Sequence, residues 1–276
     1  MSRMARTLNK DTQLCISLAA RPSNHGTRFH NFLYEELDLN YVYKAFAPAN
    51  LEDAIRGIRG LPIRGAAVSM PYKEQCIPML DELDPSADVI ASVNTIVNTD
   101  GHLKAYNTDY LAIASLLASH HVDRNDDFVV LGSGGMAKAV VAALHDAGFR
   151  AGTVVARNEG TGTAIAEQYG YGWQGELAAL RPSLLINATP MGMAGGSGEG
   201  QLPVPGDAVG AATTVFDVVA SPSETPLILA ARAADRKVIT GAEVVALQAA
   251  EQFELYTGVR PTPEQVQRAS AFARSA

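Results

Sequence analysis

The run Val129-Val130-Leu131-Gly132-Ser133-Gly134-Gly135-Met136-Ala137-Lys138-Ala139 limits what this chain can fold into more than any other stretch. An apolar, β-branched segment enters a glycine turn and a helix-forming segment leaves it. Glycines allow a tight turn and let backbone N–H groups approach a phosphate, and the helix start adds partial positive charge toward the anion. The spacing is GxGGxxxA, with Ala139 small where helix and strand must pack closely. Such a motif alone is weak, and a plain tight turn is the bland alternative. Here it heads a regular alternation. Residues 127–131 read as a strand, 136–147 as a helix, 151–156 as a strand and 161–169 as a helix. Residues 184–187, 214–217 and 237–240 read as further strands. Strands and helices in strict alternation predict a parallel sheet with crossover helices. A dinucleotide-binding unit is the reading that uses all of this.

The second strand of that unit bears on which dinucleotide. A site for NAD ends this strand with Asp or Glu, which binds the ribose 2′-hydroxyl. Here Val154-Val155-Ala156 is followed by Arg157-Asn158. A carboxylate would repel a 2′-phosphate, whereas the planar, permanently charged guanidinium of Arg157 suits one. A solvated surface arginine is the bland alternative, and Glu159 next door weakens the case a little. NADP is the favoured cofactor.

With 276 residues the chain has room for two domains. It is 47% hydrophobic and 18% charged, the profile of an ordinary soluble globular protein. The net charge of −7 gives no basic footprint for nucleic acid. Cys15 and Cys76 belong to no CxxC or Cys/His cluster, so buried reduced thiols are expected rather than a disulfide, and no metal site is expected. Met1 to Arg6 carry charge with no apolar run behind them, and no stretch approaches the roughly 20 apolar residues of a membrane span. A cytoplasmic protein with no membrane partner is expected.

The first 109 residues have a different texture. Residues 14–18, 41–46 and 66–69 read as strands, and 29–37, 51–58 and 73–83 as helices. Residues 92–97 and 102–106 flank Asn98-Thr99-Asp100-Gly101, and the Asp-Gly pair signals a hairpin turn. Residues 193–200 are glycine-rich and read as a mobile loop, and the chain ends in helices over 242–256 and 264–273. Several polar residues interrupt apolar or turn segments. Lys73 opens a helix, where the dipole prefers anions; a surface lysine is the bland alternative. Asp109 follows Tyr106-Asn107-Thr108, where either Thr108 or Asp109 could simply cap a helix. Asn94 sits in a β-branched run, as an inward polar group or a bulge. Gln248 lies in an apolar helix and needs a partner from protein or ligand. Hydride transfer at an alcohol needs a group that takes the hydroxyl proton and others that fix the reacting carbon. A lysine paired with an aspartate meets the first need.

These segments together resemble the shikimate/quinate dehydrogenase family over nearly the whole chain, and within it a divergent shikimate dehydrogenase-like subgroup. The resemblance is carried by six ordered blocks. They are Gly65 through Lys73-Glu74, Ser92-Val93-Asn94-Thr95 through Asn107-Thr108-Asp109, and the glycine turn. They continue with Ile186-Asn187-Ala188-Thr189-Pro190-Met191-Gly192-Met193, Pro222-Ser223-Glu224-Thr225-Pro226-Leu227, and Gly241 through Phe253. The resemblance implies an α/β fold of two domains. Residues 1–109, completed by the C-terminal helices 242–276, would form a substrate domain with a mainly parallel mixed sheet. Residues 110–241 would form a Rossmann-like doubly wound NADP domain. It implies an NADP-dependent oxidoreductase of the shikimate pathway, in aromatic amino acid biosynthesis, interconverting shikimate and 3-dehydroshikimate as a monomer or homodimer. Lys73 would be the acid/base and Asp109 its partner, with Ser69, Asn94 and Gln248 on substrate hydroxyls. Gly132, Ser133, Gly134, Gly135, Met136, Ala137, Arg157, Asn187, Ala188, Thr189, Met193, Val218 and Gly241 would line the cofactor.

The departures cluster where the family binds the substrate carboxylate. Its His-Ser-x-Ser-Pro segment is here Ser23-Asn24-His25-Gly26-Thr27, so Asn24 and Gly26 replace both serines. Thr27, or Arg28 if it faces inward, would have to supply the missing contact; a solvent-facing Arg28 at the helix start is the favoured reading. The same chemistry on quinate, an aminoshikimate or another hydroxy acid, with shikimate a poor substrate, therefore stays open, as does an NADP-binding sensor without turnover.

Overall fold

The structure is a computed structural model and describes residues 8–275; the stretch from Met1 to Arg6, read above for targeting signals, lies outside the described residues. The chain divides into two compact units, one of the residues up to Thr108 together with those from Ala246 on, the other Asp109–Val245. Among the described residues no helix is long and apolar enough to cross a membrane.

The first unit is a six-stranded mixed sheet. Its elements are β1 (Gln13–Leu18), α1 (His25–Glu36), β2 (Tyr41–Phe46), α2 (Leu51–Gly60), β3 (Gly65–Val68), α3 (Tyr72–Gln75), β4 (Glu82–Leu83), α4 (Pro85–Asp88), β5 (Thr95–Thr99) and β6 (His102–Tyr106). The strand order is β2-β1-β3-β5-β6-β4, with β1 parallel to β2 and β3 and with β5 antiparallel to β3 and β6. The β5–β6 hairpin pairs Thr99 with His102 and places Asp100 and Gly101 at φ +52° and +89°, the positive pair that a two-residue turn requires. The helix expected over 73–83 is corrected. Only Tyr72–Gln75 is α-helical, a 3-10 turn covers Ile77–Met79, and Glu82–Leu83 is a strand. Pro78 disfavours the α region at Ile77 and donates no N–H, so the helix cannot run through it.

The second unit begins with α5 (Thr108–Ser119), whose residues from Asp109 on belong to it, followed by β7 (Phe128–Leu131), α6 (Gly135–Asp146), β8 (Gly152–Val155), α7 (Glu159–Tyr169) and β9 (Gly172–Gln174). It continues with β10 (Leu184–Asn187), α8 (Gly206–Ala211), β11 (Thr214–Asp217), α9 (Pro226–Ala233), β12 (Lys237–Thr240) and the start of α10 (Gly241–Thr257). The order β12-β11-β10-β7-β8-β9 is parallel throughout, a doubly wound sheet whose direction reverses between β7 and β10. Strands buried on both faces explain the unbroken apolar runs read in the sequence; every residue of β7, β10 and β11 is buried.

The rest of α10 and α11 (Pro263–Arg274) return to the first unit and pack with α1, in a cluster that includes Phe29, Leu33, Tyr34, Phe253 and Tyr256. Each such fully buried side chain contributes about 2 kcal/mol. His30 stands in the same core, wholly buried and stacked 4.5 Å from Tyr43, and burial pushes its imidazole down to about 3. The unfolded chain protonates this group near its ordinary value of about 6.5. Stability is therefore lost as pH falls below that value toward the folded one. At pH 5 the expected loss is about 2 kcal/mol, or about 4–8 °C in Tm. His30→Phe keeps the stacked ring and removes the titration. Its Tm should fall between pH 7 and 5 by about 4–8 °C less than that of the parent; equal falls would show that His30 does not set the acid sensitivity.

Candidate active site

In the second unit the loops after β7 and β10 meet where the sheet reverses, the place where open α/β sheets bind ligands. Gly132 takes φ +108° and lies so close to the β10 loop that a Cβ there would sit 3.0 Å from the Ala188 carbonyl and 3.1 Å from Thr189 Cγ2. Gly134 caps α6, Gly135 opens it, and a Cβ on either would meet nothing within 4 Å. The first N–H bonded back into the turn is that of Lys138, to the Gly134 carbonyl at 3.0 Å. The N–H groups of Gly135, Met136 and Ala137 are those a helix start leaves for capping, water or a ligand. Open space in front of two glycines at a helix start fits a dinucleotide diphosphate. The Ala137 side chain is wholly buried, so only its backbone can serve. Ser133 Oγ and Thr161 Oγ1 share a 2.7 Å hydrogen bond that ties the turn to α7, whose first turn Asn158 caps. Arg157 is exposed just beyond β8.

Asn187 is wholly buried, and its amide is engaged inside the protein. Nδ2 donates to Asp217 Oδ1 at 3.0 Å and to the Met191 carbonyl, and Oδ1 accepts from the Thr189 backbone and hydroxyl at 3.1 and 2.6 Å. Asn187 therefore shapes the loop that carries Ala188 and Thr189. Asp217, which the sequence did not single out, is its anchor. It also accepts from Thr225 Oγ1 at 2.6 Å and the Val219 N–H at 3.0 Å, while burial pushes its carboxyl above the usual range. Val218 is half-buried beside it, and Met193 is 40% exposed in the glycine-rich loop. Gly241 is buried where a Cβ would lie 2.4 Å from the Val219 carbonyl carbon and oxygen and 2.5 Å from the Val218 oxygen, so only glycine fits. Asp109 is buried near the start of α5.

In the first unit, Ser69 is exposed just past β3, and Lys73 is half-buried on the short α3. The Lys73 carbonyl accepts from the Val93 N–H at 2.9 Å, which holds α3 against the residue before Asn94. Asn94 is buried, 1% exposed. Its Oδ1 accepts from the Thr108 N–H at 2.8 Å, the Thr108 hydroxyl at 3.1 Å and the Thr95 hydroxyl at 2.9 Å, whereas its Nδ2 finds no partner among the described residues. A buried amide donor left unpaired is costly, and such a group invites a ligand acceptor. Gln248 is half-buried on α10. Gln252, one turn further along, was missed although glutamines at i and i+4 share a helix face. It is buried and donates to Asn94 and Thr95.

At the carboxylate end Arg28 lies on the outer side of α1. Arg28 is committed to the C-terminal helix: it donates to the Phe272 carbonyl at 2.7 and 3.1 Å and to Ser275 Oγ, with its guanidinium 4.2 Å over the Phe272 ring. It is not turned toward a substrate. Asn24 is the exposed N-cap of α1 and makes no side-chain capping bond, and Thr27 is half-buried in the first turn. Among the described residues no group of three or more His, Cys, Asp or Glu is placed to hold a metal.

Residues 23–96 match the family model described as the shikimate dehydrogenase substrate binding domain. The chain is 53% identical over 268 residues to a shikimate dehydrogenase-like protein of Haemophilus influenzae, covering 97% of this chain and 99% of that one. It is 38% identical to a shikimate dehydrogenase (NADP(+)) of Chlorobium phaeobacteroides, over 86% of this chain and 88% of that one. Among solved structures, a shikimate 5-dehydrogenase-like protein superposes with a TM-score of 0.96 at 53% identity, over 98% of this chain and all of the other. The shikimate 5-dehydrogenase of Thermus thermophilus, solved with NADP(H) and shikimate, superposes at 0.84 with 29% identity, over 95% of this chain and 99% of that one. A doubly wound unit with a glycine turn at a helix start, a mixed-sheet unit, and these likenesses along the whole chain lead to one statement: the chain belongs to the shikimate dehydrogenase family of NADP-dependent oxidoreductases.

Proposed function

We propose that this chain interconverts shikimate and 3-dehydroshikimate, with Asp109–Val245 as its NADP unit and the remainder as its substrate unit. The observation that carries the reading is the buried, unpartnered Nδ2 of Asn94, on a segment tied to the backbone of Lys73. Bound NADP supplies the hydride acceptor for alcohol oxidation and, reduced, the donor for the reverse. The glycine turn and the start of α6 hold its diphosphate, and Arg157 faces the 2′-phosphate. Asn94, Ser69 and Gln248 fix the substrate hydroxyls. Lys73 Nζ takes the proton that leaves the hydroxyl on oxidation and returns it on reduction, with Asp109 as its charge partner. Shikimate and NADP mixed with the protein should give the near-ultraviolet absorbance of reduced nicotinamide; no turnover at about millimolar substrate would sink the shikimate assignment.

A second reading is favoured by the carboxylate end. A Cβ at Gly26 would sit 3.5 Å from the Tyr43 ring, an ordinary contact, so packing does not demand glycine there. A side chain is missing there by choice of residue, not for want of room for a Cβ. That supports the same chemistry on quinate, an aminoshikimate or another hydroxy acid, with Thr27 as the remaining hydroxyl. A substrate panel in which shikimate has the highest kcat/KM removes this reading.

A further inference from the structure

The hydrogen bonds around Asn94 run in one direction. Gln252 Nε2 donates to the Asn94 main-chain carbonyl at 3.3 Å and to Thr95 Oγ1 at 3.0 Å. Because Thr95 Oγ1 accepts there, its proton turns to Asn94 Oδ1 at 2.9 Å. The same Oδ1 accepts from the Thr108 N–H at 2.8 Å. Main-chain groups that cannot exchange roles fix both ends, since a carbonyl only accepts and an N–H only donates. Turning over the Asn94 amide would set Nδ2 against the Thr108 N–H. Turning over the Gln252 amide would set its oxygen against the Asn94 carbonyl. The Asn94 oxygen is thus saturated, and its buried nitrogen is the one group left to meet a ligand. All four residues belong to the same compact unit.

We propose that Gln252, acting through Thr95, is a positioning residue that holds Asn94 as an obligate donor, so that the substrate must present an acceptor oxygen there. A hydroxyl or carbonyl oxygen satisfies this; a protonated amine, which only donates, is rejected at that position. The proposal rests on the reading of Asn94 as a substrate contact.

Two pairs of variants test it in the full chain. Gln252→Glu keeps the shape and, when ionised, loses the donor, so Thr95 turns its proton toward the carboxylate. KM for shikimate should rise about tenfold or more with kcat within about threefold. The defect should shrink as pH is lowered, because a protonated glutamic acid donates again; buried His30 is the titratable group facing this position, and the recovery should persist in a His30→Phe background, which a merely structural role would not give. Thr95→Val should show the same rise in KM, and Thr95→Ser, which keeps the hydroxyl, should restore it. The side-chain amide protons of Asn94, followed by NMR without ligand, should exchange with solvent about tenfold faster in Gln252→Glu and Thr95→Val than in the parent. If the parent does not oxidise shikimate, the substrate reading fails while the amide signals still decide the positioning. Unchanged amide exchange overturns the proposal, as does an unchanged KM in a parent that turns over.

Discussion

Lys73→Met is expected to lower kcat for shikimate oxidation by about 10²–10⁴-fold, the range that a positioned proton-transfer group supplies. The NADP affinity stays within about threefold, because the loss falls on the chemical step and not on cofactor binding. The position of Lys73 supports so sharp a separation. α3 is only four residues long, and the backbone bond from the Val93 N–H to the Lys73 carbonyl helps to hold it. The substitution leaves that backbone bond in place. Methionine matches the apolar stem of lysine and is easily accommodated at a half-buried site. Steady-state rates with shikimate, together with an NADP titration of the same preparation, check the result. Undiminished turnover would remove Lys73 from the mechanism. A parent that binds NADP but turns over none of the panel would favour a sensor.

The sequence revealed the doubly wound unit for a physical reason. Parallel strands covered on both faces are buried and mostly apolar, as are Phe128–Leu131 in β7, Leu184–Ile186 in β10 and Val215–Phe216 in β11. The glycine turn was legible because backbone conformation restricts residue type, and Gly132 at φ +108° is such a case. The region from Lys73 to Leu83 was misread because its apolar spacing was counted through Pro78, which no helix interior tolerates. The site was legible where a polar residue interrupts an apolar stretch, as at Asn94. It was obscure where such a residue serves another residue rather than a ligand. Asn187 looks like a lining residue, yet its four hydrogen bonds are internal. Gln252 and Asp217 carried the same signal, a polar group in an apolar segment, and were passed over. The partner that gives each its role lies more than twenty-five residues away in the chain. The same holds for Arg28: nothing near it in the chain foretells its bonds to Phe272 and Ser275.

Two glycines separate folding from cofactor binding. Gly135→Ala adds a methyl where nothing lies within 4 Å, at a helical position outside the left-handed region. The fold should keep its stability or gain up to about 1 kcal/mol, as alanine reduces the freedom of the unfolded chain. The methyl stands in the space assigned to the diphosphate, so the NADP affinity should fall about tenfold or more, a loss of about 1.4 kcal/mol or more. Gly241→Ala acts in the opposite way. Its Cβ would lie 2.4–2.5 Å from main-chain atoms of Val218 and Val219, which have no rotamer to move. The segment after β11 would have to shift, against the bonds that Asp217 makes to Val219 and Thr225. The expected cost is about 3 kcal/mol or more, read as a fall in Tm of about 6–12 °C without cofactor. Melting curves without NADP and an NADP titration place both variants. A Gly135→Ala protein that binds NADP as tightly as the parent would show that the diphosphate lies elsewhere than at the start of α6. An unchanged Tm for Gly241→Ala would show that the Val218–Val219 backbone yields where its hydrogen bonds say it should not.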